Sequence, residues 1–191
     1  MERLICANVL GEKLSLETCA GLFSPEHVDR GTLAMLSAAV LTPGMKVLDL
    51  GCGCGVVGIA AAKKCGAENV WMLDANPLAV DTAERNAERN GVSGVHIVLS
   101  DGFRTLDEAG FDLILSNPPY QSDFSVAKHF IEKGFNRLRI GGSMVMVTKR
   151  LEWYRNKLRA VFGGVHVRQI DGYWVFEAQR RQERYANAPK R

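Results

Sequence analysis

The sequence predicts a single α/β domain: a mostly parallel, seven-stranded sheet with helices on both faces, closed by an antiparallel hairpin at one edge. Three observations carry this reading. From Val47 onward short apolar runs alternate with helical periodicity, the connections between them are short, and the last two runs are separated only by Asp171-Gly172. The 191 residues are 47% hydrophobic and 24% charged, the balance of a globular chain, with no internal repeat and no linker that would divide them. Extended disorder, fibrous and membrane-spanning classes are excluded.

Val47-Leu48-Asp49-Leu50 is a short strand that runs into glycines, and Val56 to Cys65 is an Ala-rich helix stopped by Gly66. A second unit follows: a strand from Asn69 to Leu73 ending at Asp74, then a helix opened by Pro77 and stopped by Asn90-Gly91. Val95 to Leu99 is a third strand. Phe111 to Leu115 is a fourth and must end at Pro118-Pro119, which cannot continue a ladder. Ser125 to Leu138 has helical spacing, and Gly141-Gly142 is expected to turn it into a fifth strand, Ser143 to Thr148. A helix from Leu151 to Phe162 and the pair Val165 to Ile170 and Tyr173 to Ala178 complete the chain. Residues 1–22 read as an N-terminal extension and 23–191 as the domain. In such sheets ligands bind beyond the carboxyl ends of the strands, which directs attention to Asp49–Gly55, Asp74, Asp101 and Asn117.

The five cysteines are odd in number, form no CxxC pair and follow no secretory leader, so the expectation is a cytoplasmic protein. The net charge of +3 hides an asymmetry: nine Lys/Arg against fifteen Asp/Glu up to Tyr120, and fifteen against six from Gln121. A basic C-terminal third suits phosphate backbones, and Lys149, Arg150 and Arg155 are the candidate contacts. A solvated Lys/Arg-rich face is the alternative.

Asp49-Leu-Gly51-Cys52-Gly53-Cys54-Gly55 turns the first strand into its helix. The glycines accept positive φ and leave backbone open to a ligand over the helix N-terminus. Gly53 to Gly58 also matches GxGxxG, with Asp74 at a dinucleotide-like distance, which keeps a nicotinamide-dependent oxidoreductase open. Asp49 argues against it, because a carboxylate there repels pyrophosphate and attracts an ammonium group. Asp74 is placed to accept from two ribose hydroxyls, and Asp101, followed by Gly102, from an adenine amino group. S-adenosylmethionine carries those groups in that order.

Asn117-Pro118-Pro119-Tyr120 is the most specific string. An aromatic or amide NH2 is a poor nucleophile because its lone pair is delocalised. The Asn117 side-chain oxygen and the Pro118 carbonyl can each accept one N–H, aiming the lone pair and stabilising developing positive charge. Pro119 stiffens the turn, and Tyr120 offers a ring to stack the target base.

With these strings in place, the chain from about Leu14 to Ala178 resembles the class I, Rossmann-like S-adenosylmethionine-dependent methyltransferases. Within them it is similar to the small-domain guanine-N2 ribosomal RNA methyltransferases of the methyltransferase C type. The resemblance implies that Asp49, Gly51, Cys52, Gly53, Gly55, Asp74, Asp101 and Gly102 bind the cofactor and that Asn117-Pro118-Pro119-Tyr120 binds the amine. Gly21-Leu22-Phe23-Ser24, with Asp29-Arg-Gly31-Thr32, looks like the family segment against the methionine end of the cofactor, which adds Thr32. Met144 to Phe162 resembles a family strand–loop–helix that favours RNA as substrate, with Tyr154 and Phe162 alternatively core aromatics. Many members carry a second, degenerate half that these residues do not include, so its substrate contacts are absent or supplied by a partner. The implied activity is N-methylation of RNA, foremost guanine N2 of small-subunit (16S) ribosomal RNA within a ribosomal subunit. Adenine N6, a glutamine side-chain amide of a release factor, or a non-catalytic RNA-binding module are the alternatives. No metal is expected, because Cys52 and Cys54 lack completing ligands, and the four histidines show no ligand spacing.

Overall fold

A computed structural model of the chain describes residues 2–22, 24–119 and 124–187. Among the described residues, nine strands and five α-helices follow in the order β1 (Glu2–Val9), β2 (Glu12–Cys19), α1 (Arg30–Ala38), β3 (Val47–Leu50), α2 (Val56–Cys65), β4 (Val70–Asp74), α3 (Pro77–Arg89), β5 (His96–Leu99), β6 (Phe111–Ser116), α4 (Ser125–Arg137), β7 (Leu138–Thr148), α5 (Glu152–Phe162), β8 (His166–Ile170) and β9 (Tyr173–Gln179). Seven of the strands form one sheet in the order β5-β4-β3-β6-β7-β9-β8, parallel throughout except for β9, which pairs antiparallel with both neighbours. The closing hairpin therefore forms that end of the sheet, with β9 on the inside and β8 at the edge.

Period-two alternation along the central strands separates two cores. Val47, Leu113, Leu115, Val145 and Val147 face α1, α2 and α3, while Leu48, Leu50, Ile114, Met144 and Met146 face α4 and α5. Tyr154 and Phe162 are 2% exposed and pack in the second core. Gly141-Gly142 does not form the expected turn. Both lie inside β7, which begins at Leu138 and shifts register against β6 between Phe111 and Leu113. A Cβ on Gly142 would stand 2.6 Å from the Phe111 carbonyl oxygen, so the glycine admits close backbone approach within a bulge.

Residues 2–19 are a hairpin, closed by Leu10 and Gly11 at φ +54° and +82°. Leu14 and Leu16 sink into the first core. Two asparagines one turn apart, Asn86 on α3 and Asn90 at its C-cap, grip the hairpin's backbone. Asn86 accepts from the Glu17 N–H and donates to the Glu17 carbonyl, and Asn90 does the same at Ser15. Asn86 also donates to the Cys54 carbonyl at 2.8 Å, tying the hairpin to the β3–α2 loop.

Candidate active site

From β3 the chain winds outward through β4 to β5, then returns to lay β6 on the other side of β3. Connections leave the two strands in opposite directions at such a point, and a crevice opens beyond their carboxyl ends. A cavity of about 380 Å3 occupies it, within the range of small-ligand sites. Asp49, Gly51, Cys52, Gly53, Asp74, Asp101, Gly102, Asn117 and Pro119 line it, together with Thr32 from α1. Pro118 is buried alongside, and Gly55 caps α2 at φ +90°. Tyr120 and Phe23 lie outside the described residues. Lys149, Arg150 and Arg155 are not in the cavity wall.

Glycine does two jobs in the β3–α2 loop and the helix that follows. Gly53 has φ +54°, and a Cβ there would meet no atom within 4 Å, so its bare backbone borders open cavity. Gly58 lets α2 pack tightly on β4: a Cβ would stand 2.3 Å from the Met72 sulfur. That approach brings the Gly58 N–H to 2.8 Å from Asp49 Oδ2.

Asp49 is 2% exposed, and among the described residues no cation pairs with it. Burial pushes its carboxyl up to about 7; the Gly58 N–H opposes this and the nearby Asp74 charge adds to it. A buried carboxylate beside a cavity, short of positive charge, suits a cationic ligand group. Asp74 is held differently. Its Oδ2 accepts from the Gly53 N–H and its Oδ1 from the Asn76 N–H, both at 2.9 Å. A carboxylate has about two acceptor sites per oxygen, so one on each remains for a pair of hydroxyls. Asp101 is exposed at the rim, 3.4 Å from Arg104. Burial raises the Cys52 thiol well above its ordinary value and the Cys54 thiol to about 11, so both stay protonated and wall the site as small apolar groups.

At β6, Ser116 Oγ donates to the Leu50 carbonyl at 2.8 Å, fastening β6 to β3 beneath the crevice. The next residue, Asn117, donates from Nδ2 to Asp29 Oδ2 and to Thr32 Oγ1, each at 3.0 Å. Asp29 is also the N-cap of α1, accepting from the Thr32 N–H at 2.9 Å. An ionised carboxylate only accepts, so the amide nitrogen must face it and Oδ1 must point away. Among the described residues no donor reaches that Oδ1. In the sequence Asp29 stands out only as part of the Asp29-Arg-Gly31-Thr32 string. Its partner lies 88 positions on, beyond any local spacing, although an Asp two positions before Gly31-Thr32 is a legible helix cap. Val126 and Phe130 of α4 also line the cavity, with no signal beyond their place on an apolar face.

Lys149 and Arg150 leave the end of β7 at the same end of the sheet. Lys149 Nζ sits 5.1 Å from the Tyr173 ring centre and the Arg150 guanidinium 4.9 Å from that of Phe124. Arg155 pairs with Glu152 at 2.5 Å. Among the described residues no group of three or more His, Cys, Asp or Glu converges on a metal position, and no helix is long and apolar enough to cross a membrane.

The fold and the crevice together define a Rossmann-like α/β domain that receives its ligand at the strand tips. The chain belongs to the methyltransferase small domain family, whose model matches residues 13–177. It is 35% identical over 160 residues to the ribosomal RNA small subunit methyltransferase C of Hahella chejuensis, covering 82% of this chain and 46% of that protein. To the uncharacterized protein YbxB of Bacillus subtilis it is 32% identical, covering 84% and 83% of the two chains. The solved T. thermophilus 16S rRNA N2 methyltransferase, in complex with AdoMet and guanosine, superposes with a TM-score of 0.87 at 28% identity, over 95% of this chain and 51% of that one. The chain thus spans about half the length of its methyltransferase C relatives.

Proposed function

We propose that this protein is an S-adenosylmethionine-dependent N-methyltransferase acting on an exocyclic amino group of RNA, with guanine N2 of small-subunit ribosomal RNA as the substrate. The observation that carries the reading is the fixed Asn117 amide: Asp29 and Thr32 hold its nitrogen, which leaves Oδ1 as an acceptor at the cavity. The activities of these relatives support the same choice of substrate.

The cofactor fits the residues present. Buried Asp49 takes its ammonium group, directly or through water, and Asp74 offers one free acceptor site per oxygen to the ribose hydroxyls. Gly51 and Gly53 present bare backbone, Gly55 caps α2 behind them, and Asp101 and Gly102 stand at the adenine end. When bound, it supplies an electrophilic methyl group. The chain does the rest by positioning. Asn117 Oδ1 and the Pro118 carbonyl accept the two N–H groups of the substrate amine, so its lone pair is directed out of the plane and the growing positive charge meets two oxygen dipoles. Tyr120 stacks the base, and Lys149, Arg150 and Arg155 face phosphates. No strong base is required, because the amine becomes acidic only as the new bond forms.

Mass spectrometry of ribosomal RNA nucleosides from cells lacking the protein tests the proposal directly. Loss of N2-methylguanosine at one small-subunit position, restored by the purified protein in vitro, is the expected result. A missing N6-methyladenosine, or methyl transfer to a release-factor glutamine instead, would replace guanine as the substrate.

A further inference from the structure

We propose that the rim beside Asn117 holds the nucleotides flanking the target, so that the protein engages an unpaired stretch of RNA rather than a lone base lifted from an intact duplex. This rests on the RNA reading above.

Strand register places the parts. Ser116 pairs with Met146 across parallel β6 and β7, so Pro118 and Thr148 are level, and Lys149 and Arg150 emerge beside Asn117-Pro118-Pro119. Thr148 pairs in turn with Trp174 of β9, which sets Tyr173 next to Lys149. The Tyr173 ring also closes on α1: a Cβ on Gly31 would stand 2.8 Å from it, two residues from the Asp29 that anchors Asn117. On the other side Phe124 stacks on Trp153 with centroids 4.3 Å apart and planes 14° apart, under the Arg150 guanidinium. Two rings with cations over them thus stand at the same strand ends as the amine clamp.

These rings differ from the aromatic residues of the core. Tyr154 and Phe176 are buried, whereas Phe124, Trp153 and Tyr173 are half-buried and Lys149 and Arg150 exposed. The cations differ from their neighbours too. Arg155 is paired with Glu152 and Lys157 with Glu132, while among the described residues no carboxylate lies in ion-pair range of Lys149 or Arg150. A half-exposed aromatic stack with an unpaired cation at its end offers a base a flat surface, on Trp153 or on the guanidinium plane itself, and its phosphate a charge, and every base has a π-face to use it. Neighbours of the target reach such surfaces only when they are themselves unpaired.

The test is equilibrium binding of a seven-nucleotide single-stranded RNA with a central guanine, and of the same strand in a duplex, to protein saturated with S-adenosylhomocysteine. Wild type should favour the single strand and show quenched tryptophan fluorescence on binding it. Trp153→Leu should lose that quench and bind about tenfold more weakly. Lys149→Ala and Arg150→Ala should each lower the slope of log affinity against log salt by about 0.7, a readout that a purely structural role would leave unmoved. Unchanged affinity for S-adenosylhomocysteine verifies folding, and if Trp153→Leu fails it, the two salt slopes decide. Equal binding of duplex and single strand, or variants indistinguishable from a wild type that binds RNA, would overturn the inference and leave the RNA reading standing. A wild type that binds neither form would remove both.

Discussion

On the β3–β4 side of the crevice the surface is built locally: glycines that follow one another within ten residues shape the loop, and its acids are oriented by N–H groups of the same loops. On the β6 side it is a side chain, Asn117, oriented by Asp29 and Thr32 from an element 85 to 88 positions earlier. The first arrangement tolerates little change in shape but needs few partners. The second depends on the docking of α1 against the tip of β6, and a fault there should disturb the reaction without disturbing the cofactor. The contrast therefore separates binding from turnover, and each side can be broken alone.

Asn117→Ala should have the largest effect. It removes the acceptor that we propose meets the amine, and turnover should fall by roughly a thousandfold, as when a preorganised transition-state partner is lost. Calorimetric titration with S-adenosylhomocysteine should show affinity nearly intact. Parallel loss of both would mean that the two sides are not independent. Asp29→Asn comes next. Asparagine caps α1 as well as aspartate does, so thermal stability should hold, but the new amide no longer dictates which way Asn117 faces. We expect kcat to drop about a hundredfold with cofactor affinity unchanged. If kcat holds, Thr32 alone orients the amide.

The same division explains what the sequence made legible. The β3 loop, Asp74, and the helix limits at Pro77 and Gly66 are local signals, in which the residues that cooperate lie within a turn or two of each other. The Asp29–Asn117 contact is not local, and neither is the grip of Asn86 and Asn90 on the N-terminal hairpin, whose closing Leu10-Gly11 turn lacks the usual Asn or Asp before its glycine. The Gly141-Gly142 pair misled for a related reason. A glycine chosen to admit another strand's carbonyl looks in sequence like one chosen to turn the chain.

Gly58→Ala probes the locally built side through packing. Its Cβ would overlap Met72, so the fold should lose about 1–3 kcal/mol of stability, measured by denaturant midpoint. Shortening the obstacle with Met72→Val in the same chain should recover part of the loss. An additive double variant would show that Met72 was not the obstruction.

The smallest effect concerns charge on that same side. With the Asp49 carboxyl raised from 3.8 to about 7, the folded protein binds this proton more tightly than the unfolded chain does. Its contribution to stability is present below the unfolded value and is lost as pH climbs from about 4 through 7. An ammonium ligand prefers the ionised form, so cofactor affinity should run the opposite way and strengthen about tenfold between pH 6 and pH 8 as the ionised fraction grows. Asp49→Asn should flatten both slopes. Comparing the S-adenosylhomocysteine titrations of variant and wild type removes the ligand's own ionisation. A wild-type excess that does not grow with pH would show that Asp49 does not serve as the counter-charge, leaving the glycine backbone and Asp74 as the anchors on this side.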